Sequence, residues 1–566
     1  MTTRRQFLAA STAGALSALS VPLLSACTPT APSPPAAATQ PLKPASGAAA
    51  TTLLPTYVAF TGGPKPDYHS ADPRITDGYE HFPKTFFKSW NKEAPASGGR
   101  VDVYIIAAYP PPTPYDQNPT WQAVNKQLNA DVQMNIVPNS DYRTKLTTLM
   151  AGGDLPDIIH LFGGITAAPA LPDFIKAKAA DLTPFLAGDA IKDYPNLAAI
   201  PTYAWKNSTS VIDGKLYAYP IHRYLPGLTY FFRNTDLYDK VIGADYQPKD
   251  ADDFLRVLRQ LNRPQNNQWA VGNIATFPFN FGVAGYASMF GAPNTWGKDT
   301  SGKLVRDRET EEYKAAVGYL RNLWSEGLMW ANATTAAASR PDFVAGRFAV
   351  SVEGFGNPWN DFWRQGLQQN PPNHFDLIPP FPATAGDKTV GYISGGYISI
   401  NVLKKASNER IKELLRIADF LASPFGSQES TLLSYGIDNA DYTLDANGDP
   451  KLSPQGIARA GYVPWRYISD HPYVQFQPDL PGYAKKSFDA EQLLVGIGVP
   501  NVTLGYYSKT DLGPAGSSAN MNFFDGLNDI VVGRRPFTDY DQLVQDWRKA
   551  AGDQARSEYT EAIAAG

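Results

Sequence analysis

The sequence predicts an α/β fold, on two observations. Between residues 101 and 161, apolar β-branched runs alternate with helical stretches, giving strand, helix, strand, helix, strand; that order implies parallel pairing through right-handed crossovers. The second half repeats the type: helical patterns at 250–262, 309–328 and 408–422 are interleaved with strand-like runs at 348–352 and 397–400. With 566 residues the chain exceeds what one core supports, roughly 250–300 residues, so more than one core is expected.

In chain order, Val101–Ile106 reads as a buried strand ending at a proline cluster. A helix follows from about Thr120, with Trp121, Val124 and Leu128 on one face. Val132–Val137 alternates as a strand does, 141–151 is an amphipathic helix, and Leu155–Leu161 is the next strand. Tyr313, Val317, Leu320 and Trp324 recur at helical spacing, as do Ile411, Leu414, Leu415, Ala418 and Leu421. Turn residues at 299–303 and 445–449 predict two hairpins. A last helix covers about 538–562, with Tyr540, Leu543, Val544 and Trp547 on its apolar face. Residues 57–100, rich in Pro, Gly and Tyr, read as irregular chain wrapping the surface, and Trp465 as a surface plug in a loop insertion.

Composition narrows the function. Hydrophobic residues are 43% and charged residues 18%, which fits a folded protein. A formal net charge of −4 argues against nucleic acid. The 30 Tyr and 11 Trp supply a core and leave aromatics for a surface that stacks on a ligand. Gly-x-Ser-x-Gly, phosphate-loop and His-Glu-x-x-His patterns do not occur, and the six histidines lack metal-ligand spacing. Asp445-Ala446-Asn447-Gly448-Asp449 lacks the later bidentate carboxylate of a calcium loop. No metal and no cofactor are expected.

The N-terminus carries its own signal. Arg4-Arg5 precede an Ala/Leu/Ser-rich run to Leu24, and Leu24-Ser25-Ala26-Cys27 ends in the single cysteine of the chain. Small residues before a lone cysteine resemble a lipoprotein processing site, and the paired arginines resemble the twin-arginine export signal. Residues 1–27 are therefore expected to be a lipoprotein signal peptide with Cys27 lipidated. Residues 28–56 form a Pro/Ala/Ser linker. The expected location is the outer face of the cytoplasmic membrane, exported and held by lipid.

Further blocks carry a family resemblance from about residue 100 to 563. Lys145–Ile158, Asp181–Leu186, Asp213–Pro220, Tyr230–Leu237, Glu326–Leu328, Phe343–Val350 and Gly533–Phe537 occur in an order that resembles the extracellular solute-binding proteins of family 1, in particular the large lipoprotein branch for oligosaccharides. The resemblance implies a two-lobe periplasmic-binding-protein-like fold (type II), hinged by crossing strands. It implies 57–221 and 391–440 in lobe 1, and 222–390 and 441–566 in lobe 2. It also implies capture of a carbohydrate, as an oligosaccharide, for an ABC importer without catalysis, with permease subunits as partners and a monomeric chain. Some members of that branch have a calcium loop after the helix matching 250–262; Asn262–Gln268 here contains no carboxylate.

Ligand residues are expected on loops at the carboxyl ends of strands. That places Tyr109, Phe162, His222, Arg223, Tyr224, Phe279, Asn280, Glu353, Phe355 and Trp359 in the cleft, with Gly395 and Gly396 admitting ligand to the backbone. Trp296 and Phe523 are expected there by position. The competing readings are an exported glycoside hydrolase or polysaccharide lyase, the same fold binding a peptide or other small solute, and a cell-surface scaffold.

Overall fold

The computed structural model describes residues 53–565 except 108, 169, 228–229, 273–279, 331–339, 357–358 and 360. The chain divides at Pro44, and the unit Ala45–Gly566 contains every element below. The expected signal peptide and Cys27 lie outside the described residues.

Two mixed sheets organise this unit. Their strands are β1 (Arg100–Ala107), β2 (Asp131–Pro138), β3 (Ile158–Phe162), β4 (Ala218–His222), β5 (Tyr230–Asn234), β6 (Trp269–Val271), β7 (Phe348–Glu353), β8 (Phe375–Leu377) and β9 (Tyr397–Leu403). The helices that matter here are α1 (Pro119–Leu128), α2 (Asn139–Ala151), α3 (Ala251–Leu261), α4 (Glu311–Ser325), α5 (Asn408–Leu421), α6 (Tyr483–Gly496) and α7 (Pro514–Val531).

The first sheet runs β2-β1-β3-β9-β4. Strands β1, β2 and β3 are parallel, and β9 is antiparallel to both β3 and β4. Alternation in β1 explains its burial on both faces. Val101, Val103 and Ile105 enter one core with Trp121, Val124 and Leu128 of α1 and Leu414, Leu415 and Ala418 of α5. Tyr104 and Ile106 enter another core, with Tyr142 and Leu146 of α2. Each such side chain contributes about 1.5–3 kcal/mol when fully buried.

The second sheet runs β8-β5-β7-β6, with β7 parallel to β6 and antiparallel to β5. Phe231 packs to one side with Phe254 and Leu258 of α3, Val317 and Leu320 of α4, and Leu527 of α7. Tyr230 and Phe232 pack to the other side with Phe355, Trp359 and Leu494.

Helix starts follow capping chemistry. Asn118, Asp250, Thr310 and Ser407 each accept a backbone N–H from three residues ahead, satisfying donors left free in the first turn. Both expected hairpins form: Trp296–Lys298 pairs with Leu304–Arg306, and Tyr442–Leu444 with Pro450–Leu452. In the second turn the Asp445 carboxylate accepts the Asn447 and Asp449 amides, so it closes the turn. The last helical stretch is divided by a π-type turn at Arg548–Gly552, between Tyr540–Trp547 and Asp553–Ala565.

Two expectations change. Trp465 is 1% exposed and meets Trp121 edge-on at 6.0 Å; with Val463 and Ile468 it belongs to the first sheet's core. The stretch 441–566, expected whole in lobe 2, is thus divided, because this tryptophan buries its apolar face on α1. Residues 57–100 are more than a surface wrap. Tyr79, Phe82 and Trp90 are buried. Trp90 joins the first sheet's core, while Thr76 donates to Glu491 on α6, a helix whose Tyr483, Ala490 and Leu494 join the second sheet's core.

Candidate functional site

The chain passes from the first sheet to the second through residues 223–229, between β4 and β5, and returns through 378–396, between β8 and β9. The two connections run side by side: Ser394 N–H donates to Leu225 O at 2.6 Å, Gly227 N–H to Tyr392 O at 3.3 Å, and Arg223 N–H to Gly396 O at 2.9 Å. Pro226 and Ile393 form an antiparallel bridge.

A cavity of about 880 Å³ opens beside this pair of connections. Phe162 reaches it from the end of β3, Arg223 and Tyr224 from beyond β4, and Tyr109 from beyond β1. These are the carboxyl ends of the first sheet's strands, where open α/β sheets hold ligands. Asn294, Thr295, Asn501 and Leu504 line it from chain that packs with the second sheet, and residues 460–478 close a third side.

Of the expected site residues, the structure brings together Tyr109, Phe162, Arg223, Tyr224 and Gly395 on the cavity wall. Gly395 leaves no room for a side chain, since a Cβ there would stand 2.5 Å from the Tyr397 ring. Gly396 is one layer behind, at φ +73° with the Tyr203 ring against its Cα.

His222 is also one layer behind. Its Nδ1 accepts the Tyr473 N–H at 2.9 Å, so the neutral ring carries its proton on Nε2 and donates to the Tyr203 hydroxyl at 2.7 Å. Burial, reinforced by the nearby Arg223 charge, lowers its pKa to about 3. His222 therefore positions the Tyr473 loop and does not reach the cavity.

Several other expected residues are core. Trp296 is 1% exposed and packs on Trp547 and Tyr559. Phe523 lies under the Arg308 guanidinium at 4.2 Å. Phe355 and Trp359 meet at right angles at 5.5 Å, and Phe355 backs the Tyr224 ring at 4.7 Å. Glu353 is buried and held by Arg340, whose Nε and Nη2 reach its two oxygens at 3.3 and 3.1 Å; burial raises its pKa despite that partner. Glu353, Phe355 and Trp359 sit at or just beyond the end of β7 as expected, whereas Trp296 opens a hairpin strand and Phe523 lies within α7; all five are buried and none of them lines the cavity. Phe279 and the Asn280 side chain lie outside the described residues.

Residues the sequence did not single out complete the wall: Tyr397, Tyr467, Tyr473, Arg364, Arg466 and Asp470. The clustering of Arg466, Tyr467, Asp470, His471 and Tyr473 within one short loop is the signal that could have found most of them. Asp470, 2% exposed, accepts from Arg466 Nε at 2.9 Å and Arg223 Nη1 at 3.1 Å. Burial pushes its carboxyl up, and the charges of Arg466 and Arg223 bring it below its ordinary value. Arg364 is paired with Asp479, and Arg223 stacks 5.6 Å from the Tyr473 ring centre. Aromatic faces beside fixed polar donors suit a polyhydroxylated ligand, with rings against C–H surfaces and polar groups on hydroxyls.

A family model described as bacterial extracellular solute-binding protein matches residues 109–426. Lipoprotein LipO of Bacillus subtilis (strain 168) is 24% identical over 489 residues, covering 81% of this chain and 91% of LipO. The polygalacturonan/rhamnogalacturonan-binding protein YtcQ of the same organism is 24% identical over 455 residues, covering 78% and 87%. Among solved structures, the N-glycan transport solute-binding protein NgtS of Streptococcus pneumoniae has a TM-score of 0.60 at 15% identity, covering 82% of this chain and 99% of NgtS. The Streptococcus pneumoniae substrate-binding protein FusA, in complex with kestose, has a TM-score of 0.56 at 18% identity, covering 82% and 100%. The fold is therefore the α/β two-domain one of periplasmic solute-binding proteins.

Proposed function

This chain belongs to the bacterial extracellular solute-binding protein family, and from that premise we propose that it captures an oligosaccharide outside the cytoplasmic membrane and delivers it to the permease of an ABC importer. The observation that carries this reading is the cavity of about 880 Å³ beside the two connecting segments, walled by Tyr109, Phe162, Tyr224 and Tyr473 and by fixed polar groups. Carbohydrate-binding relatives, among them YtcQ and FusA, support the ligand class.

The lobes are the two sheet groups, and closure about 223–227 and 391–396 brings Asn294 and Asn501 toward Tyr109 and Arg223. Each aromatic contact supplies roughly 0.5–1.5 kcal/mol, while micromolar binding needs about 8 kcal/mol. Hydrogen bonds and closure provide the remainder. The ligand is bound and released unchanged, by a monomer. The chain is exported by its twin-arginine segment and held by lipid on Cys27, so the folded unit works tethered to the outer face of the membrane.

Thermal melts with a panel of oligosaccharides test the reading. A true ligand at 100 times its Kd stabilises by about 2.7 kcal/mol, and the same sugar is recovered intact by chromatography. Release of shortened products, or a shift with peptides and none with sugars, overturns it.

A further inference from the structure

The charges around Asp470 do not balance. Its carboxylate is shared by two guanidiniums, Arg466 at 2.9 Å and Arg223 at 3.1 Å. The neighbouring histidine does not alter this count: His471 Nδ1 lies 2.7 Å from Pro472 O, which can only accept, so Nδ1 carries the proton and Nε2 accepts from Arg466 Nη2 at 3.1 Å. That ring is neutral, as is His222. Arg364, farther along the wall, is matched by Asp479. Among the described residues lining the cavity, Asp470 is the only carboxylate. One positive charge is left over in a site whose walls are otherwise uncharged.

The excess has a specific face. Both Nη1 hydrogens of Arg223 are in use, on His222 O at 2.7 Å and on Asp470. Its Nε–Nη2 edge makes no hydrogen bond within the described chain, although the side chain is only 18% exposed and lines the cavity. A half-desolvated guanidinium edge with no anion is costly. Two parallel N–H groups match the two oxygens of a planar carboxylate, and the Tyr473 ring stacked on Arg223 holds that plane in place.

We propose that the cavity takes an acidic oligosaccharide, with the carboxylate of a uronic acid residue seated on the Nε–Nη2 edge of Arg223. This rests on the carbohydrate reading above and adds to it the chemical class of the sugar.

The test is calorimetric titration of the full chain with oligogalacturonates and oligomannuronates of two to six residues, their methyl esters, neutral oligosaccharides of the same lengths, hexose 6-phosphates and short peptides. At least one acidic series is expected to bind about thirtyfold or more tightly than its own ester, the effect of one charge-assisted pair. Arg223→Gln is expected to abolish the difference between acid and ester, and Arg223→Lys, which keeps the charge without the fork, to restore it only in part. If the Gln variant fails to fold, the acid–ester ratio of the unaltered protein decides alone. Neutral sugars binding as tightly as every acid overturn the proposal and leave the carbohydrate reading standing. Tighter binding of the hexose phosphates overturns the carboxylate assignment. A response to peptides with none to any sugar overturns both.

Discussion

Glu491 and Thr76, separated by 415 residues, are joined by two hydrogen bonds, since the Thr76 amide at 3.2 Å and its hydroxyl at 2.5 Å both donate to Glu491 Oε2. Gln475 Nε2 donates to the same oxygen at 3.1 Å, and its amide oxygen accepts from Tyr483 and Ser487. One buried carboxylate thus ties the N-terminal strap, the cavity loop and α6 together.

The Glu491 carboxyl is raised to about 7, chiefly by burial, with the Thr76 and Gln475 hydrogen bonds pulling the other way. An unfolded Glu titrates near pH 4.3. The folded value lies above it, so the stabilisation from the bound proton is complete below about pH 4 and is lost as the pH rises to about 7. Melts from pH 4.5 to 8 are expected to show Glu491→Gln gaining on the wild type over that window; a constant difference would refute the raised value. Asp419, also raised to about 7 by burial, is expected to behave likewise as Asp419→Asn. His160 and His222, lowered to about 3 by burial and Arg223, and His471, lowered to about 4 by burial and Arg466, oppose this trend. Their contribution is present above about pH 6.5 and is lost on acidification, which is why differences between variants are the readout.

Asp470→Asn removes the charge that Arg223 and Arg466 share. The expected loss is about 3 kcal/mol in urea unfolding, because two cations then face one another over a wall with no anion. A change below about 0.5 kcal/mol would mean that water already screens the site.

Two aromatic truncations separate core from site. Trp465→Ala is expected to cost about 3–5 kcal/mol of stability. Tyr109→Ala, at a residue 52% exposed on the cavity rim, is expected to leave stability within about 0.5 kcal/mol and to weaken ligand about three- to tenfold. Paired melts and titrations read both.

Gly396→Ala meets two obstacles, a left-handed backbone at φ +73° and the Tyr203 ring 2.3 Å from the new Cβ. A loss of at least about 2 kcal/mol is expected by denaturant titration; a neutral result would show that Tyr203 swings away without cost.

The regular elements were legible because periodicity reports burial directly: β1 alternates between two cores, and α3, α4 and α5 carry single apolar stripes. Part of the cavity wall was legible for a topological reason, as Tyr109, Phe162, Arg223 and Tyr224 lie at or beyond strand ends. Phe355 and Trp359 follow the end of β7 and are nevertheless core, because proximity to a strand end does not say which face a large ring covers; Trp296 and Phe523 are core as well, and their place in the chain carries no information on the face they turn to. The loop 460–478 was missed since the packing contacts that place it, such as Trp465 on Trp121 and Tyr473 on Tyr224, are long-range and it has no period. Trp465 shows the same limit, buried by a helix more than 300 residues earlier in the chain.

The strap at 57–100 also bears on how this molecule can be cut. Glu429 accepts the Ser89 and Trp90 amides, Glu413 accepts Ser97, and Asp449 accepts the Phe82 amide. A recombinant version started at the first regular strand would take the strap's donors from four acidic groups, these three and Glu491, and would lift an indole out of the interior. The family match beginning at residue 109 is thus a poor guide to where an expression clone should begin; a clone that keeps these donors includes the strap from residue 57 onward.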